Sequence, residues 1–178
     1  MSKHIQAVFL DRDGTIGGSD SIHYPGDFHL FTHAQELIWK LKNDRIKILS
    51  FTNQPDISEG KATIQDFIDE LITFGFDDIY ICPHDQSEGC PCRKPEIGML
   101  IEGAEKHQLH LEKCVVIGDR WSDMVAASKA NCIKILVKTG AGISTLNEHY
   151  DKLEEINIEY VAENLEEAIN WLYSHYDM

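Results

Sequence analysis

The sequence predicts an α/β fold in three layers, a parallel sheet with helices on both faces. Three observations carry this. Apolar clusters rich in β-branched residues recur along the chain, stretches of helical period separate them, and short polar runs close the clusters. No Pro/Gly/Ser-rich linker, repeat or biased tract interrupts the 178 residues, so the chain reads as one domain over 1–178.

The expected strands are Ala7 to Leu10, Ile46 to Phe51, Ile79 to Cys82, Cys114 to Ile117, Ile133 to Val137 and a short Glu159 to Ala162. Thr32 followed by Gln35 has the spacing of a capping box for a helix carrying Ala34, Leu37, Ile38 and Leu41 on one face. Ile64, Phe67, Ile68 and Leu71 mark a second helix. Pro95 suits the first position of a third, which would bury Ile97, Leu100, Ile101 and Ala104. Asn164 with Glu167 caps a last helix carrying Leu165, Ala168, Ile169 and Leu172. Cys114 and Cys132 fall in or beside strands and read as core.

Composition narrows the function. With 43% hydrophobic and 26% charged residues the chain is globular, not disordered or fibrous. A formal charge of −14 repels nucleic-acid phosphates, so no nucleic-acid partner is expected. Glu154, Glu155, Glu163, Glu166 and Glu167 concentrate that charge near the C-terminus, where a solvated helix face accounts for it. No apolar run has the roughly 18 residues of a membrane helix, and no signal-peptide pattern opens the chain. A cytoplasmic monomer without a membrane partner is the expectation.

In open parallel sheets ligands bind outside the carboxyl ends of the strands, so the polar runs there are the candidate site. The first strand enters Asp11-Arg12-Asp13-Gly14-Thr15, two carboxylates beside a turn. A calcium loop would need further oxygen ligands that Thr-Ile-Gly-Gly-Ser does not supply, while a simple turn stays possible. The second strand ends in Ser50-Phe51-Thr52-Asn53-Gln54, a hydroxyl and two amides able to hold phosphate oxygens. Arg93-Lys94-Pro95 follows the third strand, two cations at the expected mouth of a helix. The fourth ends in Gly118-Asp119-Arg120-Trp121-Ser122-Asp123, again with paired carboxylates.

This set suits phosphoryl transfer. A carboxylate attacks phosphorus only when the negative charge on both partners is neutralised, as a Mg²⁺ bridging Asp11, Asp119 and a phosphate oxygen would do. Asp13 can protonate the departing alcohol and then take a proton from water. Lys94 and Thr52 would stabilise charge on the transferring group.

Between these motifs, Cys82-Pro83-His84 and Cys90-Pro91-Cys92 place three thiols and an imidazole in one short loop, 82–92. Tetrahedral Zn²⁺ takes this donor set, and four protein ligands make the site structural. A disulfide or unliganded buried thiols are the alternatives. Cys-x-Cys bridges are strained, and the intervening loop is polar.

From Val8 to Thr139 the four motifs, in order, resemble the haloacid-dehalogenase superfamily of aspartate-nucleophile phosphatases. The resemblance implies a Rossmann-like sheet, Asp11 as nucleophile and Asp13 as acid/base. It also implies Mg²⁺ held by Asp11, the Asp13 backbone carbonyl and Asp119, with Asp123 as a supporting acid. The cysteine loop with Thr-Asn-Gln and Gly-Asp-Arg-x-Ser-Asp is similar to a small branch without a cap domain, which acts on heptose 1,7-bisphosphate or histidinol phosphate. A small phosphorylated metabolite is thus the expected partner, heptose bisphosphate first and histidinol phosphate second. Glu59 stands where the heptose enzymes usually carry Arg. Arg93 and Arg120 are candidates for a second phosphate or a sugar hydroxyl, Trp121 for a pocket wall, and His23 and Tyr24 for further contacts. Two readings of other classes compete: a phosphoryl-accepting receiver module, which would not need Asp13, and an idle scaffold that keeps the zinc loop for binding.

Overall fold

The computed structural model describes residues 4–178. Its strands are β1 (Ala7–Leu10), β2 (Lys47–Ser50), β3 (Thr52–Asn53), β4 (Ile81–Cys82), β5 (Cys114–Gly118), β6 (Ile133–Val137) and β7 (Tyr160–Ala162). The helices are α1 (Ala34–Asn43), α2 (Ile64–Thr73), α3 (Gly98–His107), α4 (Trp121–Lys129), α5 (Gly142–Glu148), α6 (Tyr150–Leu153) and α7 (Leu165–His175). Five strands form one parallel sheet in the order β2-β1-β5-β6-β7, and β3 pairs with β4 in a parallel two-stranded extension.

Successive residues of the main-sheet strands serve opposite faces, which is why both sets of positions are mostly apolar. Val8, Leu10, Ile48, Val115, Ile117, Ile133 and Ile135 pack with Ile38 and Leu41 of α1 and with Ile169 and Leu172 of α7. Phe9, Leu49, Val116 and Leu136 face the other way, onto Met99 and Leu100 of α3 and Met124, Ala126 and Ala127 of α4. The three-layer expectation holds, with Cys114 and Cys132 inside. The Asn164 side chain caps α7 by accepting from the Glu167 N–H, and Glu154, Glu155, Glu163 and Glu166 are exposed.

Several local expectations are corrected. The second strand does not run unbroken to Phe51. Lys47 and Phe51 donate to Gln6 O and Leu10 O on the β1 side, while Ser50, Thr52 and Gln54 donate to Asp78 O, Tyr80 O and Cys82 O on the β4 side, so the segment is paired on both edges and only its link to β1 ends at Phe51. At α1 the capping box of Thr32 and Gln35 does not form. His33 is the cap residue, without a side-chain bond, and Gln35 donates to Phe74 O instead. Pro95 does not open α3. It sits in a turn closed by Glu96 N to Arg93 O, and the helix begins at Gly98, so its amides do not lie at Arg93 and Lys94. The buried face of α3 is rotated from the expected stripe: Met99, Leu100 and Gly103 face the core, while Ile101 is exposed. Gly103 fits because Phe9 occupies the space a side chain would need. Ile64 of α2 is exposed as well. The helices α4, α5 and α6 were not among the expected elements, their apolar periodicity being weak against small and polar residues.

Candidate active site

Sheet topology brings the motifs to one end. Asp11 directly follows β1, Thr52 and Asn53 form β3, and Asp119 follows β5. Lys94 arrives from the turn before α3 and is almost wholly buried. Its Nζ lies 3.1 Å from Asp11 Oδ1 and 2.6 Å from Asp123 Oδ1, and donates to Phe51 O at 2.7 Å. Burial opposes the ammonium, but Asp11 and Asp123 outweigh it and raise its pKa above the ordinary lysine value.

Asp11, Asp119 and Asp123 are buried, and one oxygen of each lies within 4.8 Å of the others. Burial first, then the charges of Asp11 and Asp123, push the Asp119 carboxyl up to about 8. Burial and Asp11 push Asp123 up to about 6 despite the opposing Lys94. Asp119 Oδ2 accepts from Ala141 N at 2.7 Å, whereas buried Oδ1 has no hydrogen-bond partner. An orphaned carboxylate oxygen among three carboxylates matches a hard cation that takes oxygen ligands, so the residues fit Mg²⁺. Asp123 also accepts from Arg120 N at 2.9 Å, tying the first turn of α4 to the same cluster.

Asp13 is turned away from that cluster. Its Oδ1 accepts from Arg12 Nη1 at 2.8 Å and His23 N at 3.2 Å, and its Oδ2 from Gln54 Nε2 at 2.7 Å. Gln54 therefore holds Asp13 rather than phosphate, a role its place in a turn-like run did not reveal. Thr52 Oγ1 accepts from Gln54 at 3.0 Å, and Asn53 Oδ1 accepts from Lys94 N at 3.1 Å. The Thr139-Gly140-Ala141 loop after β6 is a further contributor the sequence reading passed over. Thr139 Oγ1 donates to Gly14 O at 2.7 Å, and a side chain at Gly14 or Gly140 would collide with Asp119. Both glycines have positive φ, at 79° and 55°, a region open to glycine. A glycine-bearing loop at a fifth strand end was the available signal.

Asp11, Asp13, Thr52, Asn53 and Lys94 line a cavity of about 430 Å³ together with Ile22, Pro55, Gln86, Gly89, Cys90, Arg93, Pro95, Glu96, Arg120, Trp121 and Ser122. Arg93, from the segment before α3, and Arg120, between β5 and α4, are both among the lining residues. Arg93 Nη1 donates to His84 O at 3.2 Å, and Arg120 Nη2 to Asp20 O at 2.5 Å. Trp121 both lines the cavity and packs on the core. His23 and Tyr24 do not line it: the His23 backbone serves Arg12 and Asp13, and Tyr24 donates to Asp56 Oδ2 at 2.6 Å.

Beside the cavity, Cys82, His84, Cys90 and Cys92 gather their donor atoms within 4.8 Å of one another. Cys82 and Cys90 sulfurs are 3.5 Å apart, Cys90 and Cys92 3.4 Å, and His84 Nδ1 is 3.2 Å from Cys92 Sγ. A disulfide would need about 2.05 Å. Burial raises the Cys82 thiol, while at Cys90 bonds from Cys92 and the Arg93 backbone outweigh burial and bring it to about 7. The donor set fits Zn²⁺, with Asp85 and Glu88 capping the short turn Gln86–Glu88 between the two ligand pairs.

A parallel sheet with carboxylates at two strand ends, a buried lysine and a hydroxyl at a third defines a class of hydrolase, and the comparisons agree. The HAD-hydrolase-like family matches residues 91–168. The chain is 32% identical over 180 residues to the D-glycero-beta-D-manno-heptose-1,7-bisphosphate 7-phosphatase of Helicobacter pylori strain J99, covering 94% of this chain and 97% of that one. To the protein of the same name from Escherichia coli K12 it is 32% identical over 164 residues, covering 81% and 85%. A crystal structure of the D,D-heptose 1,7-bisphosphate phosphatase from B. bronchiseptica, complexed with magnesium and phosphate, superposes with a TM-score of 0.82 at 28% identity, covering 96% of this chain and 99% of that one. The chain belongs to the HAD-like family of hydrolases. Within it, its relatives over most of their length are phosphatases.

Proposed function

We propose that this phosphatase hydrolyses a sugar bisphosphate of the heptose 1,7-bisphosphate type through an aspartyl-phosphate on Asp11. The observation that carries the reading is the Asp11 carboxylate, which lines a cavity with Lys94, Arg93 and Arg120 and clusters with buried Asp119 and Asp123. Mg²⁺ held by Asp11, Asp119 and the Asp13 backbone carbonyl, with Asp123 in support, would neutralise charge between nucleophile and phosphate.

Thr52, Asn53 and Lys94 hold the phosphoryl oxygens. The Asp11 carboxylate forms its bond to phosphorus as the bond to the leaving oxygen breaks, and Asp13 gives that oxygen a proton. Asp13 then takes a proton from the water that attacks the phosphoryl group, releasing phosphate and restoring Asp11. A receiver module has no use for Asp13, whereas here three donors hold its carboxylate.

Arg93 and Arg120 offer a second phosphate planar, multi-donor guanidinium groups. Zn²⁺ in the 82–92 loop would keep Arg93 and the cavity wall in place without entering the chemistry.

The test is phosphate release with Mg²⁺ from sugar bisphosphates, sugar monophosphates, histidinol phosphate and nucleotides, with Asp11→Asn alongside. Preference for a bisphosphate, lost selectively in Arg93→Ala and Arg120→Ala, is expected, as is loss of turnover in a folded Asp11→Asn. Full activity of that variant would overturn the aspartyl-phosphate, and preference for histidinol phosphate would overturn the substrate.

A further inference from the structure

Arg12 stands between the two reactive carboxylates in sequence, yet its side chain is fully buried. The guanidinium lies over the Phe28 ring at 3.8 Å and the Phe67 ring at 4.9 Å. Its Nε donates to Glu70 Oε2 at 2.8 Å, and Nη2 lies 2.7 Å from the same oxygen. The remaining arm, Nη1, donates to Asp13 Oδ1 at 2.8 Å and His23 O at 2.7 Å. One side chain thereby joins the reactive turn, the loop after it and α2.

A buried guanidinium without a counter-charge is strongly unfavourable, and Glu70 supplies that charge from 58 positions away. Because the guanidinium is a rigid plane, fixing Nε and Nη2 at Glu70 fixes where Nη1 points. Asp13 Oδ1 is then committed to two donors, Arg12 and His23 N, whereas Oδ2 has only Gln54. We propose that Arg12 and Glu70 are positioning residues for proton transfer at Asp13, holding Oδ1 so that Oδ2 is the oxygen that gives and takes the proton. This rests on the reading of Asp13 as acid/base.

The experiment exploits the leaving group. A departing sugar alkoxide needs a proton and 4-nitrophenolate does not, so misplacing Asp13 slows the first more than the second. The value kcat/KM, which reports steps through phosphoryl transfer, is measured for fructose 1,6-bisphosphate and 4-nitrophenyl phosphate with the Mg²⁺-loaded enzyme. The enzymes compared are wild type, Asp13→Asn, Glu70→Ala and Glu70→Gln. The ratio of the two values on one preparation cancels any loss of folded protein. Glu70 lines a surface cavity with Tyr24, Phe28 and Phe74, so shortening it opens no sealed void.

The ratio is expected to fall at least about tenfold in Asp13→Asn and in Glu70→Ala. Glu70→Gln, whose amide oxygen still accepts from Arg12, should recover most of it. Equal losses on both substrates in Glu70→Ala, with the ratio still lowered in Asp13→Asn, overturn the positioning role alone. An unchanged ratio in Asp13→Asn overturns the role of Asp13 and the proposal with it.

Discussion

Lys94 concentrates the electrostatic problem of the site in one residue. Three carboxylates share a buried space, and the ammonium 3.1 Å from Asp11 and 2.6 Å from Asp123 offsets negative charge there. Removing one member of a buried pair costs about 3–5 kcal/mol because the other is left uncompensated. Lys94→Met should therefore destabilise the Mg²⁺-free protein by about that amount and depress turnover at least about a hundredfold. Added Mg²⁺ should restore more thermal stability to the variant than it adds to the wild type, since it can take over the neutralisation. Thermal melts with and without Mg²⁺ check this, and equal Mg²⁺ responses would show that Lys94 and the cation do not share those carboxylates.

At the scale of elements, the site depends on strands that end where they should and on the packing behind them. Asp78, which leads into β4, shows how the far end is secured. It accepts from Tyr80 OH at 2.8 Å, lies 2.7 Å from Lys106 Nζ and 2.8 Å from His107 Nε2, and so binds the last turn of α3 to the start of β4. Burial works against its charge, but Lys106, Tyr80 and His107 together bring its pKa down to about 2. The unfolded value is about 3.9, so the folded state binds the proton less tightly. The stabilisation is complete well above pH 4 and is lost as pH falls through the folded value. Asp78→Asn should cost about 1–2 kcal/mol at pH 7 after allowance for the exposed Lys106, and about half of that at pH 3. Urea unfolding of both proteins at the two pH values measures it, and a gap that does not shrink in acid would remove Asp78 as the source.

The whole molecule brings together two clusters of metal-ligand type, the carboxylates Asp11, Asp119 and Asp123 and the set Cys82, His84, Cys90 and Cys92. The 82–92 loop carries Gln86, Gly89 and Cys90 to the cavity wall, with Arg93 just after it, while Asp11 and Asp119 follow β1 and β5. Since a four-ligand site contributes its binding energy to folding, a zinc-selective chelator should loosen residues 82–92, lower the thermal midpoint and reduce activity. Zn²⁺, and not Mg²⁺, should reverse all three, as hydrogen exchange and turnover would report. Unaltered exchange in 82–92 after chelation would show that the four donors hold no structural ion. No described helix is long and apolar enough to cross a membrane.

Much of this was legible in the sequence because it is written at short range. β1 and β6 fall at their expected bounds, since burial on two faces leaves a predominantly apolar run, broken in β6 only by Lys134, which pairs with Glu159. Asp11 with Asp13, Asp119 with Asp123, and the set Cys82, His84, Cys90 and Cys92 are near neighbours in the chain, so each group can be read from one short segment. The boundaries of α3 and the end of β2 were not legible in this way. They depend on the turn closed by Glu96 N on Arg93 O with Gly98 N on Pro91 O, and on where pairing with β1 stops after Phe51 donates to Leu10 O. Three ties were likewise decided only by tertiary structure: Gln54 to Asp13, Ala141 N to Asp119, and Glu70 through Arg12 to Asp13. Each joins groups far apart in the chain whose meeting depends on how sheet, loops and helices pack. Local spacing records which chemistry a strand end can offer, and only packing determines which distant side chain holds it in place.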